Sequence, residues 1–267
     1  MKKTLIALAL AATAVSGSAM AWTPNGLGGT MEFGGTLTPK DVVNPWAVQV
    51  GPNMDALNGS LKPNEKVVNI TLSKAVPLLG IRVADASGHF MGAPGIAPQI
   101  DYKSAVDLDG FANGDTTLTL KVVKASDATA ELGTLTAKLS AAGINNNNVQ
   151  GTLADARKMS LFASTAGKGF FGGLPKTGAT AITTENAAWT MLGALSSEYT
   201  ANYVAVTATT TNSTVPEERG FQDPLAKYSA AYGAGLKTGS TVTINLTSPA
   251  TADMAWKASF PITVSYQ

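Results

Sequence analysis

The sequence contains no cysteine and only one histidine among its 267 residues. The fold must therefore hold without disulfide bonds, and most nucleophile–base pairs and zinc sites cannot be assembled. The single histidine, His89, lies beside Phe90 in a glycine-rich segment, where a loop or strand residue is a better explanation than a catalytic base. We therefore expect no enzymatic activity, no metal site and no cofactor.

Charged residues are also scarce, at 14% of the chain, and the formal net charge is only +1. This near-neutral balance gives no electrostatic reason to expect nucleic acid or an anionic membrane as a partner. Aromatic residues make up only 7% of the chain. The abundant residues are Gly, Thr, Ala, Val and Asn, a composition that suits antiparallel sheets joined by many tight turns.

Long apolar runs are absent except at the start of the chain. Residues 1–21 combine a basic start, an apolar run from Leu5 to Val15 and the small-x-small sequence Ala19–Ala21. This pattern predicts a secretory signal peptide, with Trp22 as the first residue of the mature protein. The apolar run is too short for a transmembrane helix, and no later stretch reaches the roughly 18 apolar residues that a helix needs to span a membrane. We expect an exported, soluble protein.

Alternation of apolar and polar residues dominates the mature chain and predicts β-strands. Turn signals such as Asn113-Gly114 separate the alternating runs. The strands are expected at residues 66–72, 117–123, 204–209, 241–246 and 260–266. The predicted fold class is mainly β, a sandwich of antiparallel strands.

One region departs from this alternation. A Thr-x-x-Asp start at Thr152 predicts a first helix through residues 153–165. A second helix follows, with apolar residues at three- and four-residue steps, which are Trp189, Leu192, Leu195, Tyr199 and Tyr203. The first four of these should pack it onto the sandwich. We interpret residues 141–203 as an inserted α/β subdomain with about two helices, between the two parts of a β domain at 36–140 and 204–267.

Each end of the mature chain carries a strand-like segment with an apolar face. The donor face, as we call it, consists of Leu27, Gly29, Met31 and Phe33. The C-terminal face consists of Phe260, Ile262, Val264 and Tyr266. No tight hairpin joins the first segment to a following strand, and its glycine packs nothing.

An unpaired apolar strand invites association with another chain. Each subunit could donate its N-terminal strand to the sheet of the next copy. The alternative is an ordinary edge strand that folds back onto its own domain.

Short segments along the chain carry a more specific resemblance. They are Trp22 with Phe33–Gly35, Pro77–Gly80, Pro98–Ile100, Glu131–Leu135, Ser160–Ala163, Phe170–Leu174, Ser229–Gly235 and Ile262–Tyr266. In this order, and without cysteine, the chain resembles the FaeG-like family of chaperone–usher fimbriae, the major fimbrial subunits of enterotoxigenic Escherichia coli that double as adhesins. One residue departs from the wider pilin pattern, because Met254 stands fourteenth from the C-terminus, where glycine is common.

This resemblance implies an incomplete immunoglobulin-like sandwich that lacks its last strand and is completed by donor-strand complementation. The missing strand would be lent first by a periplasmic chaperone and then by residues 22–35 of the next subunit. An outer-membrane usher would be the other assembly partner, and the cell-surface fimbria the destination. The donor face would enter the neighbouring subunit, and the C-terminal face would border the acceptor groove.

The resemblance also implies a host glycan or glycoconjugate as receptor, bound by the inserted subdomain. Sugar sites combine an aromatic or apolar platform with a few polar groups. Residues 158–176 offer this mixture in Lys158, Ser160, Lys168, Phe170, Phe171 and Lys176, although Phe171 has a core position as its alternative.

Two further classes stay open at this point. An outer-membrane β-barrel is suggested by export, alternation and an aromatic residue near the C-terminus. A secreted monomeric lectin or enzyme with a self-complete sandwich is the other.

Overall fold

The computed structural model describes residues 33–36, 43–54, 57–148 and 156–267. The chain divides into two units, Met1–Lys40 and Asp41–Gln267, and the first contributes only residues 33–36 to the description. The architecture given below is that of the second unit.

Thirteen strands, one α-helix and two short 3-10 helices form this described part. The strands are β1 (Trp46–Val50), β2 (Val67–Thr71), β3 (Val76–Val83), β4 (Phe90–Met91), β5 (Pro98–Asp101), β6 (Asp115–Lys124), β7 (Asp127–Asn147), β8 (Ala156–Ser160), β9 (Thr210–Asn212), β10 (Lys227–Leu236), β11 (Thr241–Leu246), β12 (Trp256–Ala258) and β13 (Thr263–Tyr266). Helix α1 spans Glu185–Leu195, and the 3-10 helices span Gly178–Thr180 and Ser197–Thr200.

The strands form one large sheet and one small sheet. The large sheet has the order β1-β3-β10-β7-β11-β2, and β6 joins β7 to β12. Strand β13 pairs only with β5, in antiparallel register with Val264 opposite Ile100. One apolar cluster, which includes Leu79, Leu118 and Ile244, connects residues of both sheets. The fold is therefore mainly β and consistent with the predicted sandwich.

Strand β7 carries the sandwich into the region predicted as an insertion. Its first part pairs with β11, with Ala137 opposite Val242, and its last part pairs with β10, with Asn147 opposite Tyr228. The strand continues without a break through Ala141. The Asn113-Gly114 turn before β6 has positive φ at both residues, 49° and 78°, as the sequence led us to expect of this dipeptide.

The first predicted helix is wrong. Its described residues from Ala156 to Ser160 form β8, which pairs antiparallel with β7, with Met159 opposite Asn145. Thr152, the predicted start, lies outside the described residues. Pairing with a long neighbouring strand overrides the local helical pattern, because propensity is a weak constraint beside tertiary contacts.

The second predicted helix is confirmed as α1, although it ends earlier than its apolar pattern suggested. Thr184 caps it by accepting a hydrogen bond from the Ala187 backbone N–H at 3.3 Å. After Leu195 the chain continues into the 3-10 helix of Tyr199. The Tyr199 ring lies flat on the sheet, where a Cβ at Gly80 or Gly233 would overlap it.

The prediction that Trp189 packs inward is also wrong, because its side chain is 45% exposed. The inward face of α1 is formed by Ala188, Leu192 and Leu195, which are all buried. Trp189 lies one residue, or about 100° of helix rotation, away from that face.

The strand predicted at residues 204–209 does not form either. Its backbone bonds to side chains of the neighbouring strands instead of forming a ladder. Val204 N–H donates to Ser229 Oγ at 3.0 Å, and Val206 N–H donates to Asn146 Oδ1 at 3.2 Å.

Candidate functional site

The sandwich contains a large apolar groove. Its volume is about 1450 Å³, and its interior is lined by side chains from the sheet strands, while two segments flank it: the described residues of 50–64, and 249–262, which includes β12. The sheet side chains include Val68, Ile70, Leu118, Leu120, Leu135, Val242, Ile244 and Leu246. Six of these eight side chains are buried, whereas Ile70 and Leu120 are only partly buried, so the cover that the flanking segments give the sheet is incomplete at one part of the groove.

Backbone groups at the groove are left without ladder partners. Within the described ranges, β12 pairs only with β6, and no backbone hydrogen bond forms from Ser259 to Ile262. On the other side, β1 pairs only with β3 among the strands of the structure, and its Val48 and Val50 are exposed. An extended segment placed here would find both an apolar surface and free backbone donors and acceptors.

The structure divides the C-terminal face into two pairs. Phe260 and Ile262 line the groove and are half-buried. Val264 and Tyr266 lie on β13 against β5, outside the groove, and Tyr266 is 37% exposed. Only the first pair is therefore in a position to contact a strand in the groove.

Phe260 is held in place by the core. Its ring stacks on Tyr102 with centroids 5.1 Å apart and planes at 24°. The Tyr102 hydroxyl hydrogen-bonds to that of Tyr232 at 2.6 Å, and Tyr232 donates to the Gly173 carbonyl at 3.1 Å. Burial raises the pKa of Tyr102 far above its usual range, so the hydroxyl of the ring that supports Phe260 stays protonated.

Of the donor face, only Phe33 lies within the described residues, and its side chain is 86% exposed. Leu27, Gly29 and Met31 lie outside the described residues.

Two of the predicted receptor-contact residues are buried. Phe170 has no exposed surface and stacks on Tyr232, while Ser160 is 1% exposed and donates its hydroxyl hydrogen to the Thr183 carbonyl at 3.2 Å. Neither can touch a ligand from this position. The glycine-rich segment places Phe170 in the aromatic core because its positive φ of 64° turns the side chain inward beside Trp46.

The other four predicted contacts do not form one cluster through direct contacts. Lys176 pairs with Asp109 at 2.6 Å, and Lys168 lies 3.9 Å from a carboxylate oxygen of Glu218. Lys158 and Phe171 are half-buried, and Phe171 packs against the sandwich core.

Lys168 also lines a small cavity of about 320 Å³. The other side chains there that carry polar groups are Gln222, Asp223 and Tyr228, and Gly167 and Gly220 leave its walls open. The two chain segments are held together by the hydrogen bond from Gly169 N–H to the Arg219 carbonyl at 2.7 Å. Sequence reasoning missed Gln222 and Asp223, because no local pattern connects residues so far apart in the chain.

A polar network fixes the segment that carries this cavity. Glu217 accepts from Arg219 at 2.7 Å, lies 2.9 Å from Arg157, and accepts from the Ser213 hydroxyl at 2.9 Å. Burial alone raises the pKa of Glu217, but the hydrogen bonds from Ser213 and Arg219 and the two guanidinium charges outweigh it and hold the pKa below its usual range. The carboxylate therefore stays ionised at neutral pH and joins β8 to residues 213–219.

Comparison with known proteins shows what kind of chain carries this groove. A sequence model of the family described as "Fimbrial, major and minor subunit" matches residues 1–267, the whole chain. The chain belongs to this family of fimbrial subunits. K88 fimbrial protein AC of Escherichia coli is 29% identical over 289 residues, and F41 fimbrial protein of Escherichia coli is 32% identical over 294 residues. Both alignments cover 100% of each chain.

Membership decides among the three classes that the sequence left open, in favour of a structural fimbrial subunit. Such a subunit assembles with other subunits in a surface fimbria. Among the residues that the structure describes, no helix is both long and apolar enough to cross a membrane.

Proposed function

We propose that this fimbrial subunit polymerises by donor-strand exchange, with residues 22–35 of one copy occupying the groove of the next. The groove between the described residues of 50–64 and the segment 249–262 is the observation that carries this proposal. The seven residues from Leu27 to Phe33 span about 23 Å when extended, at about 3.3 Å per residue. Their alternation presents the donor face to the groove and the intervening residues to solvent.

The free backbone of Ser259–Ile262 supplies the second half of the interaction. An inserted strand can form ladder hydrogen bonds with the backbone groups there, except at Pro261, which has no N–H, while its donor face covers Phe260 and Ile262. Main-chain bonds then give affinity and the apolar contacts give register.

An open groove also has a consequence for export, because the subunit must be kept from aggregating until it is assembled. A subunit that exposes this surface is prone to aggregate before it meets the next copy. We infer that a periplasmic chaperone fills the groove during passage through the periplasm, and that an outer-membrane usher receives the subunit for assembly on the cell surface.

Deletion of residues 22–35 tests the donor-strand mechanism. The truncated subunit should keep its groove but form no fibres, because it has no donor strand to insert into the next copy. A matched control replaces the outward-facing Thr30 by serine and should polymerise normally. Fibres of normal length from the deletion variant, seen by electron microscopy, contradict the mechanism.

For the receptor we propose a host glycan or glycoconjugate, bound near the cavity that Lys168 lines. This cavity, with Gln222 and Asp223, offers the polar groups that orient sugar hydroxyls, and the half-buried Phe171 on the same segment can supply an apolar edge. We do not include Phe170 and Ser160 among the proposed contacts, because both are buried.

A glycan array tests this second proposal. It is probed with a monomer whose groove is filled by residues 22–35 fused after Gln267 through a flexible linker. Lys168→Ala and Phe171→Ala should each reduce binding of the glycan found, while Lys74→Ala, an exposed lysine outside both the cavity lining and residues 158–176, serves as the control. Equal binding by all variants places the receptor site elsewhere.

A further inference from the structure

The chain contains a second copy of the donor pattern, within the sandwich itself. The sequence Leu27-Gly-Gly-Thr-Met31 has a counterpart in Leu57-Asn-Gly-Ser-Leu61. Both have leucine first, glycine third, a hydroxyl residue fourth and a long apolar residue fifth. In an extended chain every second residue points to the same face. In each segment the leucine, the glycine and the last apolar residue therefore lie on one face.

The structure places this second copy at the groove. Leu57, Gly59 and Leu61 all line it, and both leucines are half-buried and pack against the sandwich core. Gly59 lies so close to β2 that an added Cβ would overlap Cγ1 of Val68. Gly59 therefore allows the backbone of its segment to approach the groove wall at β2. A glycine in the donor face would have the same role.

Side chains rather than backbone bonds hold the segment there. It is anchored before Pro52 by Gly51 N–H donating to the Leu78 carbonyl at 2.9 Å, and after Leu61 by the Lys62–Glu65 turn. Within the described residues from Pro52 to Leu61, no backbone hydrogen bond forms. Since the described residues of this segment form no ladder, they can leave the groove without breaking a sheet.

We propose that Leu57–Leu61 is an internal placeholder, which covers part of the groove in the free subunit and is displaced when the donor strand of another copy enters. This inference rests on the proposed donor-strand function. The placeholder reduces exposed apolar surface before assembly, while the groove stays available to a better occupant.

The sequences explain why the donor strand is the better occupant. Two residues after Met31 the donor face continues with Phe33, whereas two residues after Leu61 the placeholder has Pro63. Proline cannot donate to a ladder and begins the turn into β2. The donor strand therefore offers one more large apolar side chain and a continuous set of backbone donors.

A reversible disulfide tests the displacement, since the native chain has no cysteine to interfere. The double variant Gly59→Cys/Val68→Cys places two cysteines side by side, because a Cβ added at Gly59 would overlap Cγ1 of Val68. With valine removed, the two side chains are close enough to form a disulfide bond. The full mature chain carrying both changes is oxidised, and a labelled synthetic peptide of residues 22–35 is added. Val68→Cys alone, treated with the same oxidant, is the control.

We expect the oxidised double variant to take up the peptide at least tenfold more slowly than its reduced form and to form no fibres, with both restored by a thiol reductant. Equal uptake by the oxidised and reduced forms overturns the placeholder, as does failure of the disulfide to form in the folded subunit. If the reduced variant and the unmodified chain also take up no peptide, the donor-strand function fails, and this inference fails with it.

Discussion

Truncation of Ile262 to alanine should cost more stability once a strand fills the groove than before. In the free subunit Ile262 is half-buried and lines the open groove. An inserted donor strand covers the remaining surface of the side chain. The same substitution therefore removes different amounts of buried area in the two states.

The expected difference follows from the chemistry of the deletion. Replacing isoleucine by alanine removes three carbons, and at about 0.8 kcal/mol per buried methylene the full transfer loss is about 2.4 kcal/mol. In the open groove solvent fills the gap and only part of this area is buried, so we expect about 1 to 1.5 kcal/mol. Beneath a donor strand the loss is complete and a cavity term adds to it, which gives about 3 to 4 kcal/mol.

Guanidinium unfolding of two matched proteins measures this difference. One is the mature chain without residues 22–35, and the other carries residues 22–35 fused after Gln267 through a flexible linker. Val264→Ala is the control, because Val264 lies on the neighbouring β13 outside the groove and should cost the same in both proteins. An equal loss for Ile262→Ala in both proteins refutes a donor strand that covers this part of the groove.

Three further tests address the rest of the structure. Because the pKa of Glu217 is held below its usual value of 4.5, its stabilising effect is complete above about pH 4.5 and is lost as pH falls through the lowered pKa. Glu217→Gln should therefore flatten the fall of melting temperature with pH below 4.5, and an unchanged slope contradicts the network. Leu192→Ala, at a fully buried position, should cost about 2 to 5 kcal/mol. Trp189→Ala should cost clearly less, because the indole is exposed, and the reverse order in chemical denaturation contradicts the orientation of α1. Gly233→Val should lower the melting temperature by displacing the Tyr199 ring, whereas Gly193→Ala, whose added Cβ meets no atom within 4 Å, is the control and should not.

The sequence predicted those parts of the fold that depend on local pattern. Alternation identified β2, β6 and β11 within a few residues, and the Asn113-Gly114 dipeptide identified the turn before β6. These succeed because a half-buried strand and a positive-φ turn each impose a requirement on neighbouring residues.

Features set by distant residues were not predictable in this way. Residues 156–160 have a helical pattern but form β8, because the far end of β7 offers them a ladder. Trp189 matched the apolar spacing of α1, yet the sheet faces the side of the helix that Ala188 and Leu192 occupy. Helical periodicity identifies a face only to within about one residue, so it could not decide between neighbouring positions.

The candidate site was predictable only in part for the same reason. Alternation at the C-terminus selected Phe260 and Ile262, which line the groove, but it equally selected Val264 and Tyr266, which pair with β5. The division between these pairs depends on where the chain crosses to the small sheet. No signal in the residues themselves marks that crossing.

The melting temperature of a self-complemented subunit tests the central claim most directly. The measurement compares the mature chain without residues 22–35 to the same chain with these residues fused after Gln267 through a flexible linker. Burial of Leu27, Met31 and Phe33 at about 1.5 to 3 kcal/mol each contributes about 5 to 9 kcal/mol. At about 2 to 4 °C per kcal/mol, the fused protein should be a monomer that melts at least about 10 °C higher. A control fusion with Leu27→Asp and Met31→Asp should show little gain, and an unchanged melting temperature for the unaltered fusion would contradict a groove built to receive a strand.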